Sequence, residues 1–390
     1  MGRLNDTAEN YAKRNPVRFH MPGHKGRPNG KLGYPLDLTE LFFTDSLYSP
    51  SRGINLIYAL EEKISKCFFQ NADIFSLISC SGATTGVQAS VLALKKSKAS
   101  KSLYIICDRA SHVSFVNTIS LLDMVPLWIY PGEDFLESIG AHARKHGPEN
   151  IAGVFVTSPD YYGDMKDIGK ISAECKKYSL GLVVDNSHGS HLAFHKNGSL
   201  HPINLGADIS IDSVHKTLPV LTGAALLFSG GKFDKEQILR PAVNTFASTS
   251  PSYLILLSIE SMTELLECRG ISEHERLFSD ILAFEKKAGE LGFVFEGGKL
   301  RDPYRIVLNC AHSGEKLYYY LTKKNIFCEF FDEHRVVAIS GIANNTNDFN
   351  ALLDALAEFA RNNEIIYAKA EKTVYPPGVL DVIPGESGQK

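Results

Sequence analysis

Asp208-Ile-Ser-Ile-Asp-Ser-Val-His-Lys-Thr-Leu-Pro219, read together with Val183-Val-Asp-Asn-Ser-His188, decides how this chain folds. Each stretch opens as a short apolar run and closes in polar residues, the pattern of a buried strand that delivers side chains at its carboxyl end. In an open α/β sheet, ligands sit beyond that edge. The residues delivered there are Asp185, His188, Ser213, His215 and Lys216. The interval between Asp185 and Lys216 has room for one further strand.

Those residue types point to a particular chemistry. A lysine held in a closed site beside histidine and hydroxyl groups is a candidate for Schiff-base formation, because desolvation and cationic neighbours favour its neutral, nucleophilic form. An aspartate on a neighbouring strand is the partner that pyridoxal phosphate needs at its ring nitrogen, since a protonated ring is the better electron sink. Taken singly, a His-Lys pair after a strand is usually a plain loop, and an aspartate at a strand end usually caps a helix or forms a turn. The combination in this order is what points to a cofactor site.

At 390 residues the chain is long enough for two domains and a sizeable core. Its 44% hydrophobic and 22% charged residues are those of an ordinary soluble globular protein. Lys plus Arg number 41 against 44 Asp plus Glu, so the net charge of −3 gives no footprint for nucleic acid or an anionic membrane. No apolar run approaches about 18 residues, and Met1-Gly-Arg-Leu-Asn-Asp6 lacks a signal peptide's apolar core, so a cytoplasmic protein is expected. Seven cysteines without a CxxC pair read as reduced, mostly buried thiols. Cys80, beside a Gly-rich turn, is a nucleophile candidate whose plainer reading is a buried small residue. None of the 13 histidines forms HExxH, and no metal site is expected.

Along the chain, residues 1–35 read as an extended arm carrying Phe19-His-Met-Pro-Gly-His-Lys-Gly26, residues 36–262 as a large cofactor-binding domain and 263–390 as a small α+β domain. A helical pattern begins at Leu56 and a strand at Asp73. After it, Ser81-Gly-Ala-Thr-Thr-Gly86 leads into a helix; free backbone N–H groups and hydroxyls there suit a phosphate, and a plain capped helix start, with Thr84 or Thr85 as the cap, suits the residues equally well. Strand-like runs follow at 102–107, 125–130, 152–157, 181–184, 207–211 and 223–228, the last expected at an edge, with amphipathic stretches between them; such alternation implies a parallel sheet covered on both faces. Two loops carry polar residues at strand ends, Asp108-Arg-Ala-Ser-His112 and Thr157-Ser-Pro-Asp-Tyr-Tyr-Gly163. His112 reads either as a helix cap or as an imidazole stacked on a cofactor ring. A helix over 254–266 links the domains, and the small domain is read with strands at 292–295, 304–308 and 335–340 and helices at 316–323 and 348–362.

Assembled, these stretches resemble the ornithine/lysine/arginine decarboxylase family, pyridoxal-phosphate enzymes of the type I aminotransferase fold. The strings that carry the resemblance are Phe19–Gly26, Ser81–Gly86, Asp108–His112, Asp185-Asn-Ser-His-Gly-Ser-His191, Ser213-Val-His-Lys-Thr-Leu218, Thr249-Ser-Pro-Ser-Tyr253 and Tyr375-Pro-Pro-Gly378, in family order. The resemblance implies an α/β type I fold, with a mainly parallel sheet of the seven-stranded kind in the large domain and a smaller α+β C-terminal domain. It implies that Lys216 carries pyridoxal phosphate, that Asp185 pairs with the ring nitrogen and that His112 stacks on the ring. Ala83, Thr84, Ser213 and His215 would hold the phosphate, and His188 would lie on the substrate side. The segment matching Thr249–Tyr253 reaches a partner subunit's cofactor in the family, so a homodimer with shared sites is implied. The reaction implied is decarboxylation of lysine, arginine or ornithine to cadaverine, agmatine or putrescine, with Lys216 or His188 returning a proton to Cα.

The chain also departs from the family pattern. Asp185-Asn-Ser-His188 stands for Asp-Glu-Ala-His, which puts the Ser187 hydroxyl where a methyl packs the cofactor face. Ser81 replaces an Asn, Ala83 a hydroxyl residue and Val113 a Lys. No receiver-like wing precedes the arm, and relatives continue past Ile383-Pro-Gly-Glu386 into a further small domain. These changes spare Lys216 and Asp185. Two other functions fit the same residues: another pyridoxal-phosphate reaction such as transamination, and a cofactor-binding homologue without turnover. A basic substrate needs a carboxylate or polar end-group partner; Glu329, Asp332 and several other residues are equal candidates, and exposed surface carboxylates are the commoner reading of these two.

Overall fold

The computed structural model describes residues 17–19, 56–69, 73–98, 104–230, 233, 235–248, 251–297, 300–310 and 313–363. Most of the expected arm, the string after Phe19, Thr249, Ser250 and the Tyr375–Gly378 motif lie outside them.

Strand β1 (Val17–Phe19) is followed by helix α1 (Leu56–Phe68), β2 (Phe75–Ser79) and α2 (Gly82–Lys96). Three strand–helix steps and a further strand come next: β3 (Tyr104–Asp108), α3 (Val113–Leu121), β4 (Val125–Ile129), α4 (Phe135–His146), β5 (Ile151–Thr157), α5 (Ile168–Lys177) and β6 (Gly181–Asp185). After the strand β7 (Ile209–Asp212), a single turn of helix α6 (Val214–Thr217) leads to β8 (Ala225–Ser229), α7 (Arg240–Phe246) and the long α8 (Tyr253–Glu290). The chain then forms β9 (Val294–Phe295), β10 (Arg305–Asn309), α9 (Gly314–Lys323), β11 (Ile326–Cys328), β12 (Phe330–Phe331), β13 (Arg335–Ile339) and α10 (Thr346–Asn362).

The large sheet has seven strands in the order β2-β8-β7-β6-β5-β3-β4. β4, β3, β5, β6 and β7 pair in parallel, and β8 is antiparallel to both its neighbours. The strand expected at an edge is therefore interior. Its residues are all buried, as the unbroken apolar run Ala225-Leu-Leu-Phe228 requires of a strand covered on both faces. Two glycines paired in register, Gly153 on β5 and Gly181 on β6, let α2 lie close on the sheet: a Cβ on either would sit 2.7 Å from the Leu94 side chain.

A second, four-stranded antiparallel sheet has the order β12-β13-β10-β9. Buried residues of this sheet, of α1 and of α8–α10 form one apolar cluster, while two others line the faces of the large sheet. The one described piece of the expected arm is packed: β1 pairs with β11, and Phe19 is fully buried with its ring 5.7 Å from that of Phe349. α8 runs unbroken for 38 residues through position 262, beyond the Leu266 end read from the sequence. The apolar pattern falters at Glu267-Cys-Arg-Gly270, yet Gly270 stays helical because its missing side chain admits Phe194, whose ring a Cβ there would approach to 3.0 Å.

Candidate active site

The carboxyl ends of β5, β6 and β7 meet at one edge of the large sheet. Asp185 closes β6 and is 4% exposed. Its Oδ1 accepts the backbone N–H of Ser187 at 3.1 Å and the Ser187 hydroxyl at 2.5 Å. The loop after it is anchored from below. Asn186 donates from Nδ2 to Asp212 Oδ2 at 2.8 Å, and the fully buried Asp212 also accepts from His201 Nε2 at 3.1 Å and Ser210 Oγ at 2.5 Å.

That anchoring presents His188 to Lys216. Lys216 lies in α6, and its Nζ is 3.0 Å from His188 Nε2. Burial pushes the Lys216 amine down to about 8, assisted by the Arg305 charge and opposed by those of Asp185 and Glu329. Burial, then the Lys216 and Arg305 charges, hold His188 well below the usual histidine range, so its imidazole is neutral. The Tyr161 ring packs edge-on against His188 at 5.2 Å, and its hydroxyl donates to Glu329 Oε1 at 2.5 Å.

His112 takes the capping position, and its ring is near the Asp185 and Lys216 charges. It is the N-cap of α3, with Nδ1 accepting the Ser114 N–H at 3.1 Å, and it is close enough to Asp185 and Lys216 to feel both charges while burial lowers its pKa. The cap settles its tautomer: in the neutral ring the hydrogen is on Nε2.

Two hydrogen bonds tie the start of α2, which carries Ala83 and Thr84, to the chain around His215. Gly82 donates to the carbonyl of Gly223 at 2.8 Å, and His215 Nδ1 lies 2.9 Å from the carbonyl of Ala224, so one turn joins the start of α2 to α6. Ser81 occupies the N-cap position of α2 without a side-chain cap, and neither Thr84 nor Thr85 caps the helix. The N–H groups that follow Gly82 at the start of this 15-residue helix have no side-chain cap and are left for an anion, at half-buried Ala83 and exposed Thr84. Cys80 is half-buried, and burial pushes its thiol up to about 11, which disfavours the nucleophilic thiolate.

Residues 4–290 match the family described as "Orn/Lys/Arg decarboxylase, major domain". The chain belongs to that family. It is similar to the uncharacterised protein YaaO of Bacillus subtilis (27% identical, covering 84% of this chain and 72% of that protein). It is also similar to an arginine decarboxylase of the same organism (24% identical, covering 96% and 89%). Its fold superposes on the constitutive lysine decarboxylase of E. coli with a TM-score of 0.63 at 18% identity, covering 77% of this chain and 51% of that one, so it spans about half the length of that decarboxylase. The fold is the type I fold of pyridoxal-phosphate enzymes, shared with a serine palmitoyltransferase solved with the cofactor (TM-score 0.60). Family and fold together identify pyridoxal phosphate as the cofactor.

The chemistry of this decarboxylase-family site suits that group. A primary amine with a lowered pKa, a carboxylate one strand away and an uncapped helix start are the three features that an aldehyde, a pyridine nitrogen and a phosphate require. Thr157, in register with Asp185 on β5, has a buried Oγ1 without a hydrogen-bond partner, as expected where a polar ligand completes the site.

Sequence reasoning missed Arg305 and Tyr161. Arg305 is 1% exposed and its Nη2 lies 3.4 Å from His188 Nδ1. A signal existed: a lone arginine inside the apolar run Tyr304-Arg-Ile-Val-Leu308, where a charged residue is buried only with a purpose. Glu329 and Asp332 are half-buried rather than exposed, and they are not equivalent. Asp332 is engaged by Arg335 at 2.7 Å and Tyr162 at 2.9 Å, whereas the Glu329 charge reaches Lys216.

Proposed function

We propose that this protein is a pyridoxal-phosphate-dependent decarboxylase of a basic amino acid, lysine, arginine or ornithine, releasing CO₂ and a diamine or agmatine. The observation that carries the reading is the Lys216 amine, lowered to about 8 and 3.0 Å from His188, in the helical turn that follows β7, the strand paired with the one Asp185 closes.

In this reading Lys216 holds the cofactor and Asp185 keeps its ring nitrogen protonated. The His112 ring lies against it, and the phosphate takes the free N–H groups at Ala83 and Thr84 with Ser213 and His215. The bound cofactor supplies the electron sink for the bond to the carboxylate. Lys216 and His188, in contact, then return a proton to Cα. Burial of His188, with Arg305 from β10 and Tyr161 from the loop after β5 packed against it, excludes water from that exchange. Glu329, oriented by Tyr161, answers the cationic end of the substrate. A homodimer with shared sites and a cytoplasmic location belong to the same proposal. The family likeness of Thr249–Tyr253 supports the first; composition and the absence, among the described residues, of a helix long and apolar enough to cross a membrane support the second.

One observation favours a second reading. The buried Arg305 has Nε and Nη1 without hydrogen-bond partners, a setting suited to a substrate carboxylate that is retained, as in transamination. Purified protein should show the visible band of lysine-linked cofactor, abolished by borohydride and by Lys216→Ala, and should release CO₂ from one of the three basic amino acids. Keto-acid formation without CO₂ would establish the second reading instead, and a bound cofactor with no turnover across the panel would refute both.

A further inference from the structure

Arg305 opens β10 in the small sheet and reaches the large-domain loop that carries His188. A guanidinium only donates hydrogen bonds. With Nη2 3.4 Å from His188 Nδ1, that nitrogen is the acceptor and carries no hydrogen. The imidazole is neutral, so its one hydrogen is on Nε2, the atom 3.0 Å from Lys216 Nζ. A hydrogen directed at Nζ needs a lone pair there, which the amine has and the ammonium lacks.

The competing arrangement reverses every bond. An ammonium at Lys216 donates to Nε2, the imidazole hydrogen moves to Nδ1, and that N–H then faces the guanidinium, donor against donor in a buried place. Asp302 only partly offsets the guanidinium charge. Its Oδ2 is 3.8 Å from Arg305 Nε, and its Oδ1 is taken by His191 at 2.8 Å and the Tyr304 N–H at 2.9 Å. The groups facing Lys216 come from several elements: Asp185 from β6, His188 from the following loop, Glu329 from between β11 and β12, and Arg305 from β10. His112, at the start of α3, lies near both Asp185 and Lys216. The two carboxylates favour the ammonium; Arg305 opposes them.

We propose that Arg305 is a positioning residue that fixes the His188 tautomer and thereby holds Lys216 in the free-amine form needed to take up the cofactor. The inference rests on the reading of Lys216 as the cofactor-bearing lysine. It assigns the small domain a part in preparing the large domain's nucleophile, across the interface between the two sheets.

The test strips the holoenzyme of cofactor and follows, as a function of pH, the rate at which added pyridoxal phosphate restores the visible band, a readout of the Lys216 amine that needs no turnover. Arg305→Leu should move the half-maximal pH upward by about one unit. Arg305→Lys, whose ammonium also only donates, should stay near the wild type. A wild-type midpoint in Arg305→Leu overturns the proposal. Independently of any variant at 305, ¹⁵N NMR of the wild-type protein, with His188 assigned by its loss in His188→Gln, should show a hydrogen on Nε2; one on Nδ1 overturns the proposal as well. Failure of the underlying reading looks different: Lys216→Ala would then still build a borohydride-sensitive band.

Discussion

Replacing Asp212 by alanine should damage both the stability of the protein and the placement of His188, although Asp212 is fully buried and not part of the proposed cofactor contacts. Its carboxylate accepts from Ser210 Oγ at 2.5 Å, Asn186 Nδ2 at 2.8 Å and His201 Nε2 at 3.1 Å. Alanine leaves three buried donors without an acceptor, at about 1–3 kcal/mol apiece. Because all three share one carboxylate the losses do not add, and roughly 3–5 kcal/mol is expected in total. Asp212→Asn should cost much less, about 1 kcal/mol, since the amide oxygen can still accept from Asn186 and His201 while the Ser210 hydroxyl turns to accept from the amide. Equilibrium urea unfolding of the three proteins measures the difference. The same samples, reconstituted with cofactor, report whether the loop that Asn186 anchors still presents His188. An Asp212→Ala loss below about 1 kcal/mol, or equal losses for the two variants, would refute the reasoning that this carboxylate holds the loop.

Lys216 provides a pH-dependent test of its own burial. Its folded pKa, about 8, lies below the ordinary 10.5, so folding opposes the charged form; the cofactor-free protein should gain stability as pH rises from 8 to 10.5, and Lys216→Met should remove that dependence in thermal unfolding scans. Glu329 opposes the lowering of the Lys216 pKa, so Glu329→Gln should shift the midpoint of cofactor capture to lower pH. In steady-state assays the same variant should raise KM for the basic substrate by about 10-fold, the loss of one charge-assisted contact, with a smaller change in kcat.

Local pattern made most of the architecture legible. The strands from Phe75 to Ser229 follow from short, mainly apolar runs bounded by polar turns, because a strand buried on both faces favours that composition. The interior place of β8 was not legible, since an interior strand and a covered edge strand bury the same side chains. Its pairing with β2, some 150 positions upstream, is decided by closure of the sheet. The two short strands β11 and β12 were missed for a related reason: three and two residues are too few to show a period. α8 was cut short because helix interiors normally avoid glycine, and only Phe194 packed against Gly270 explains its tolerance there.

The sequence alone determined the α/β class and the residue types delivered at the end of the sheet, Asp185, His188, Ser213, His215 and Lys216, since periodicity and strand ends are properties of neighbours along the chain. Tertiary structure alone decided that Arg305 from β10 and Glu329 from between β11 and β12 face Lys216, that Asp332 is claimed by Arg335, and that the Asn186 side chain is tied to Asp212. Those relations depend on distances across packed elements and on which charges are desolvated together, and no spacing along the chain encodes either.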